Sequence, residues 1–226
     1  MASDSKITEG MTTLTAADGF KFEAFRATPA GPVRGGLIIL QEIFGITDQL
    51  KEVVRSYAPR RSSDLIPGLY DRVAPQSVVP CSDPNRGRDM AYALPLDKVI
   101  LDIAAAAACV RGAHGVSVLG FCWGGGVIVR AAAEVDLRGA IAFYGTRLPT
   151  YLDCKPKCPL LFHFGTTDPN STPEIIAQVR QAFPSAETHE YNAGHAFAND
   201  VRPTYVADAA KTARARTLDF LARVHA

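Results

Sequence analysis

The apolar run Val116-Ser117-Val118-Leu119 passes without a spacer into Gly120-Phe121-Cys122-Trp123-Gly124-Gly125-Gly126, and then into VIVRAAAEV. The first segment reads as a strand covered on both faces, and the last as a helix. The chain must therefore turn from strand to helix inside the glycine-rich corner. Such a corner strains the backbone at its apex, and glycines two places before and after remove Cβ atoms that would clash. Gly120 and Gly124 hold those places around Cys122. The apex side chain then points out at the strand's carboxyl end, beside the N–H of Trp123, which no intrahelical carbonyl can reach. A developing oxyanion fits that N–H. A short motif of this kind also fits a small buried core cysteine, so the rest of the chain has to decide.

TTLTAADGFKFEAFRA alternates around Asp18-Gly19 and predicts a hairpin, with Asp-Gly supplying the positive φ angles of a tight turn. GLIIL, from Gly36 to Leu40, predicts a buried strand, and residues 47–58 a short helix capped by Thr47 or Asp48. In APRRSSDLIPGLY only Leu65 and Ile66 are strongly apolar before Pro67, which predicts either a very short strand or irregular chain. Residues 75–95, rich in Pro, Asp and Arg, read as a long surface excursion. Beyond them, LDKVILDIAAAAACVRGAH reads as a helix ending near Gly112 or Gly115. GAIAFYG, PLLFHFG and ETHEY read as strands, PEIIAQVRQAF as a helix, and Pro203 to Val224 as a closing helix. A hairpin followed by alternating strands and helices predicts an α/β fold. Its mostly parallel, twisted sheet has about eight strands with helices on both faces. At this length the expected organisation is one domain over 1–226 with no separate lid.

In such a sheet, ligands lie beyond the carboxyl ends of the strands. Asp168 follows LLFHFG in the loop GTTD, and His195 follows ETHEY in the loop NAGH. Cys122, Asp168 and His195 thus occur in the order nucleophile, acid, base expected when a corner residue is activated by an imidazole that a carboxylate orients. His163 lies within an apolar strand, His189 within a short one, His114 at a helix end and His225 at the terminus. Asp168 can also form an Asx-turn before Pro169, which is compatible with holding an imidazole.

The 24 Lys and Arg against 23 Asp and Glu give a formal charge of +1, which offers nucleic acid or an anionic membrane no field to bind. No apolar run approaches the roughly 20 residues of a membrane span. The polar start MASDSKITEG lacks a secretory apolar core, so cytoplasm is the expected location. The five cysteines form an odd set that suits a reducing compartment. Cys154 and Cys158 could begin a zinc site, but no second pair follows, and no C-x-x-C occurs anywhere. No metal or cofactor is expected.

Four blocks, QEIFG (Gln41 to Gly45), LYDR (Leu69 to Arg72), GFCWGGG and AGHAF (Ala193 to Phe197), together with TLDFL near the end, resemble the dienelactone hydrolase family of the α/β-hydrolase fold. The resemblance runs from about Gly36 to the final helix. It implies that Cys122, His195 and Asp168 form the triad and that Glu42 interacts with the thiol and helps to activate it. It also implies that the backbone N–H groups of Ile43 and Trp123 form the oxyanion hole, and that Arg72 contacts a substrate carboxylate. Where relatives acting on dienelactone carry a second arginine, four residues after the histidine, this chain has Asn199. Asparagine can donate a hydrogen bond but brings no charge and no bidentate fork. Losing one charged contact weakens binding by about 1.5–3 kcal/mol.

The chemistry expected is hydrolysis of activated esters or lactones through a thioester. Thiolate leaves more readily than an amine, so peptides are disfavoured. The alternative is a broad arylesterase or promiscuous phosphotriesterase with a relaxed carboxylate clamp; behind it stands a non-catalytic ligand-binding relative. The expected partner is a small ester or lactone, and the expected state is a monomer, with a dimer as the alternative.

Overall fold

The computed structural model describes residues 7–58 and 62–226; the start of MASDSKITEG and residues 59–61 of APRRSS lie outside the described residues. Eight strands form one sheet: β1 (Ile7–Thr15), β2 (Lys21–Pro29), β3 (Gly35–Leu40), β4 (Ser62–Pro67), β5 (Val116–Phe121), β6 (Ala140–Phe143), β7 (Leu160–Gly165) and β8 (Glu187–Tyr191). Their order in the sheet is β1-β2-β4-β3-β5-β6-β7-β8. β1 with β2 and β2 with β4 pair antiparallel, while β3 with β4 and the run β5-β6-β7-β8 pair parallel. Flanking the sheet are α1 (Asp48–Tyr57), α2 (Pro84–Ala93), α3 (Leu96–Val110), α4 (Trp123–Glu134), α5 (Pro173–Ala182) and α6 (Ala207–Val224). This is the mostly parallel α/β architecture expected.

The described residues cluster in two compact units, one within Met1–Ile39 and Ile43–Val116, the other Leu40–Glu42 with Ser117–Ala226. In the first, the β1–β2 turn is wider than Asp-Gly alone implies. Ala16 N donates to Phe20 O at 2.8 Å and Gly19 N to Ala16 O at 2.9 Å. Of that pair only Gly19 has a positive φ (+82°). A three-residue loop that closes on one left-handed glycine follows the twist of the strands without straining Asp18. α1 is capped by Thr47, whose hydroxyl accepts from Leu50 N.

β4 is a full strand although its sequence signal is weak. It is hydrogen-bonded on both sides, to β2 and β3, and Ser63 and Asp64 are buried along with Leu65 and Ile66. Ladder partners on both edges stabilise a strand that its own composition does not specify. The 75–95 excursion is corrected too, since it contains α2. Asp83 caps that helix by accepting from Arg86 N, and Pro84 occupies its first turn. These residues are helix-start signals as well as loop formers. The closing helix starts at Ala207 rather than at Pro203.

In the second unit, β5 is buried throughout and feeds α4, whose Val127, Ile128 and Val129 are all buried. Phe162, Phe164, Phe197 and Phe220 are among the largest side chains fully buried in its core.

Candidate active site

β5 ends at Phe121 and α4 begins at Trp123, so Cys122 alone makes the corner, at φ 53° and ψ −113°. Few non-glycine residues adopt such angles, and they persist only where the surroundings enforce them. Here Cys122 N donates to Phe143 O at 3.0 Å, and its carbonyl accepts from Gly126 N at 3.2 Å and Thr146 N at 2.9 Å. The two glycines are required by contact. A Cβ at Gly120 would sit 2.3 Å from the Gly124 carbonyl oxygen, and one at Gly124 would sit 2.6 Å from that of Gln41.

Asp168 and His195 come from the loops after β7 and β8, which are tied together. Tyr191 O accepts from Thr166 N at 2.8 Å and from Ala193 N at 2.7 Å, and Thr167 N donates to Ala193 O at 3.1 Å. That bracing brings Asp168 and His195 into register. His195 Nδ1 lies 2.7 Å from Asp168 Oδ2, and His195 Nε2 lies 3.1 Å from Cys122 Sγ. The three side chains expected from their order in the chain therefore form one continuous hydrogen-bonded line. Cys122 is 8% exposed and Asp168 3%, while the His195 side chain between them is 25% exposed, so solvent reaches the line at the imidazole.

Burial disfavours charge on His195. The hydrogen bonds with Asp168 and Cys122 outweigh it, and the imidazole is pushed up to about 10. Burial likewise opposes ionisation of Asp168. The His195 bond, with bonds to Oδ1 from Asn170 N at 2.8 Å and Asn170 Nδ2 at 3.1 Å, holds this carboxyl below the usual carboxylate range. An acid kept ionised and an imidazole that holds a proton next to a thiol can perform general acid and then general base chemistry.

Glu42 belongs to the same unit and is 8% exposed. Burial raises its carboxyl; His195, Tyr144, Arg202 and Asn199 all pull the other way without cancelling it. Asn199 Nδ2 donates to Glu42 Oε2 at 3.2 Å, and Asn199 Oδ1 accepts from Val201 N at 3.2 Å. The amide at this position is thus engaged by Glu42 and by its own loop. Trp123 is buried at the first position of α4. Ile43 follows Glu42 and belongs to the first unit, where its carbonyl packs so closely on Gly87 that a Cβ there would lie 2.1 Å away.

Arg72, also in the first unit, is heavily committed. Its Nε and Nη2 each donate to Asp102 at 2.8 Å, its Nη1 and Nη2 donate to Asp18 at 3.1 and 3.2 Å, and its guanidinium lies 4.3 Å from the centre of the Phe20 ring.

Sequence reading missed Tyr144. It follows β6 directly, is fully buried, and has a φ of 39°. Its ring meets that of His195 edge-on at 5.2 Å. Burial raises the phenol well above its ordinary value, with Glu42 and Cys122 as further electrostatic neighbours. The rule that singled out Asp168 and His195, a polar side chain just past an apolar strand, applies equally to the tyrosine of GAIAFYG.

Comparison with known proteins places the chain in a family. The dienelactone hydrolase family profile matches residues 22–225. A carboxymethylenebutenolidase of Pseudomonas sp. strain P51 is 33% identical, covering 96% of both chains. A crystallised Klebsiella pneumoniae protein assigned to the dienelactone hydrolases superposes with a TM-score of 0.86 at 27% identity, over 96% of this chain and 99% of its own. A dienelactone hydrolase-like promiscuous phosphotriesterase from metagenomic libraries shares the fold, with a TM-score of 0.71 at 19% identity over 96% of this chain and 98% of its own. The chain belongs to the dienelactone hydrolase family.

Proposed function

We propose that the chain hydrolyses activated carboxylic esters or lactones through a thioester on Cys122, without a cofactor. The observation that carries this reading is the pair of contacts His195 makes, 2.7 Å to Asp168 and 3.1 Å to Cys122. With its value raised to about 10, His195 already holds the proton that the Cys122 sulfur gives up, and the sulfur attacks the ester carbonyl. The oxyanion develops beside the Trp123 N–H at the start of α4; the Ile43 N–H as second donor rests on the family resemblance alone. Collapse expels the enol or phenol leaving group, protonated by His195. Water, deprotonated by the same nitrogen, then attacks the thioester, the C–S bond breaks, and sulfur recovers its proton. Asp168 keeps the imidazole in the tautomer and orientation both halves require. Glu42 sits beside this line and influences the thiol's readiness to react.

A second reading, a broad arylesterase that also accepts phosphotriesters, is favoured by Asn199. Its amide is held by Glu42 and Val201 rather than offered as a charged clamp. The resemblance to the promiscuous phosphotriesterase is one of fold and points the same way. A panel of dienelactone, a neutral lactone, p-nitrophenyl acetate and an aryl phosphotriester, run on the native enzyme and on Cys122→Ala, tests both readings. The first expects carboxylic substrates to be turned over only with the cysteine. Undiminished hydrolysis by Cys122→Ala defeats it. A kcat/KM for dienelactone far above that for p-nitrophenyl acetate defeats the second.

A further inference from the structure

Two buried oxygens beside the triad, Glu42 Oε1 and Tyr144 Oη, make no hydrogen bond of good geometry among the described residues. Orphaned buried polar atoms are uncommon, because each costs about 1–3 kcal/mol. These two are of complementary kind, a carboxylate oxygen that accepts and a phenol that donates. They are also neighbours: the Tyr144 hydroxyl approaches the Glu42 carboxyl closely enough to affect its ionisation without closing a bond of good geometry. Tyr144 is held there at a cost, since a bulky side chain at φ 39° is strained. Its ring contacts His195, whose Nε2 faces the sulfur. Glu42 is pinned from its other oxygen by Asn199. A donor, an acceptor and a general base therefore converge beside Cys122, which is the partner set that a buried water satisfies with about three hydrogen bonds.

We propose that Tyr144 Oη and Glu42 Oε1 hold the water that hydrolyses the Cys122 thioester, which makes Tyr144 a catalytic residue for deacylation. The inference rests on the thioester reading above. The water accepts from the phenol O–H and donates one proton to Glu42 Oε1. Its second proton passes to His195 Nε2 as its oxygen bonds to the thioester carbon. The tetrahedral intermediate then releases the Cys122 sulfur, which takes that proton back, and a free carboxylic acid leaves. Glu42 must be ionised to accept well, so its raised carboxyl makes deacylation fail on the acid side at a higher pH than an ordinary glutamate would allow.

The test is stopped-flow hydrolysis of p-nitrophenyl acetate by Tyr144→Phe, with intact-protein mass spectrometry. Deleting an orphaned hydroxyl leaves the fold at least as stable, so Tm should be unchanged or raised. The p-nitrophenolate burst should keep its rate within about threefold while steady-state turnover falls about 10- to 100-fold. An acetyl adduct on Cys122 should accumulate. Burst and steady state slowed equally, or turnover unchanged, overturns the assignment of Tyr144. An adduct that forms in neither protein overturns the thioester reading and this inference with it.

Discussion

His163 and His195 occupy the same unit, one within β7 and the other just past β8, and burial opposes charge on both. They nevertheless end in opposite states. His163 is fully buried, with Nδ1 2.9 Å from Tyr191 Oη and Nε2 3.0 Å from Thr217 Oγ1. Arg216 Nη1, which can only donate, reaches Tyr191 Oη at 3.1 Å. The tyrosine therefore gives its own proton to Nδ1, and His163 Nε2–H donates to Thr217. Desolvation, with the nearby His189 and Arg216, holds this imidazole well below its usual value. His195 instead faces a carboxylate and a thiol, and rises. What lies at hydrogen-bond distance decides whether a buried imidazole is a neutral strut or a proton carrier.

Removing each side chain should separate these roles. His195→Gln should cost about 10⁴- to 10⁶-fold in kcat for p-nitrophenyl acetate, with an unchanged circular dichroism spectrum. Asp168→Asn, which keeps the shape but spoils the tautomer, should cost about 10³- to 10⁴-fold. A loss below tenfold in either would mean that the triad geometry is not used. His163→Leu leaves Tyr191 and Thr217 short of partners and should lower unfolding free energy in urea by about 2–4 kcal/mol. Its kcat should stay within about tenfold of native; a collapse like that of His195→Gln would erase the distinction between the two histidines.

The pH dependence of stability should divide the same way. The folded-state value of His195 is raised from 6.5 to about 10, so its stabilisation is complete below pH 6.5 and is lost as pH rises through that window. His163 is lowered from 6.5, so below that pH the unfolded chain binds the proton more readily and stability falls with acid. Urea midpoints should accordingly decline less on the alkaline side in His195→Gln and less on the acid side in His163→Leu. Equal pH profiles in the two variants would contradict the assignment. The smallest effect belongs to Thr217→Val, about 1 kcal/mol with activity intact.

Legibility in the sequence followed locality. β5, α4 and the corner at Cys122 were readable because strain relief by Gly120 and Gly124 and apolar periodicity act over a few residues. β4 was hard to read because its stability comes from partners on either side: its Leu65 is in register with Arg26 of β2 at one edge and with Ile38 of β3 at the other, both distant in the chain. α2 was hidden because Asp83 and Pro84 mark a loop and a helix start with equal force. Tyr144 is not legible in the sequence because which side chains surround its hydroxyl is set by tertiary packing.

The order of Cys122, Asp168 and His195, past the carboxyl ends of β5, β7 and β8, was determined by the sequence alone, since parallel strands place the loops that leave their carboxyl ends at one end of the sheet whatever the details of packing. Who pairs with whom was decided only by the tertiary structure. Arg72 binds Asp102, 30 residues on, and Asn199 binds Glu42, 157 residues back. Such choices turn on a few tenths of an ångström in side-chain reach, set by sheet register and core packing, and no local pattern encodes them.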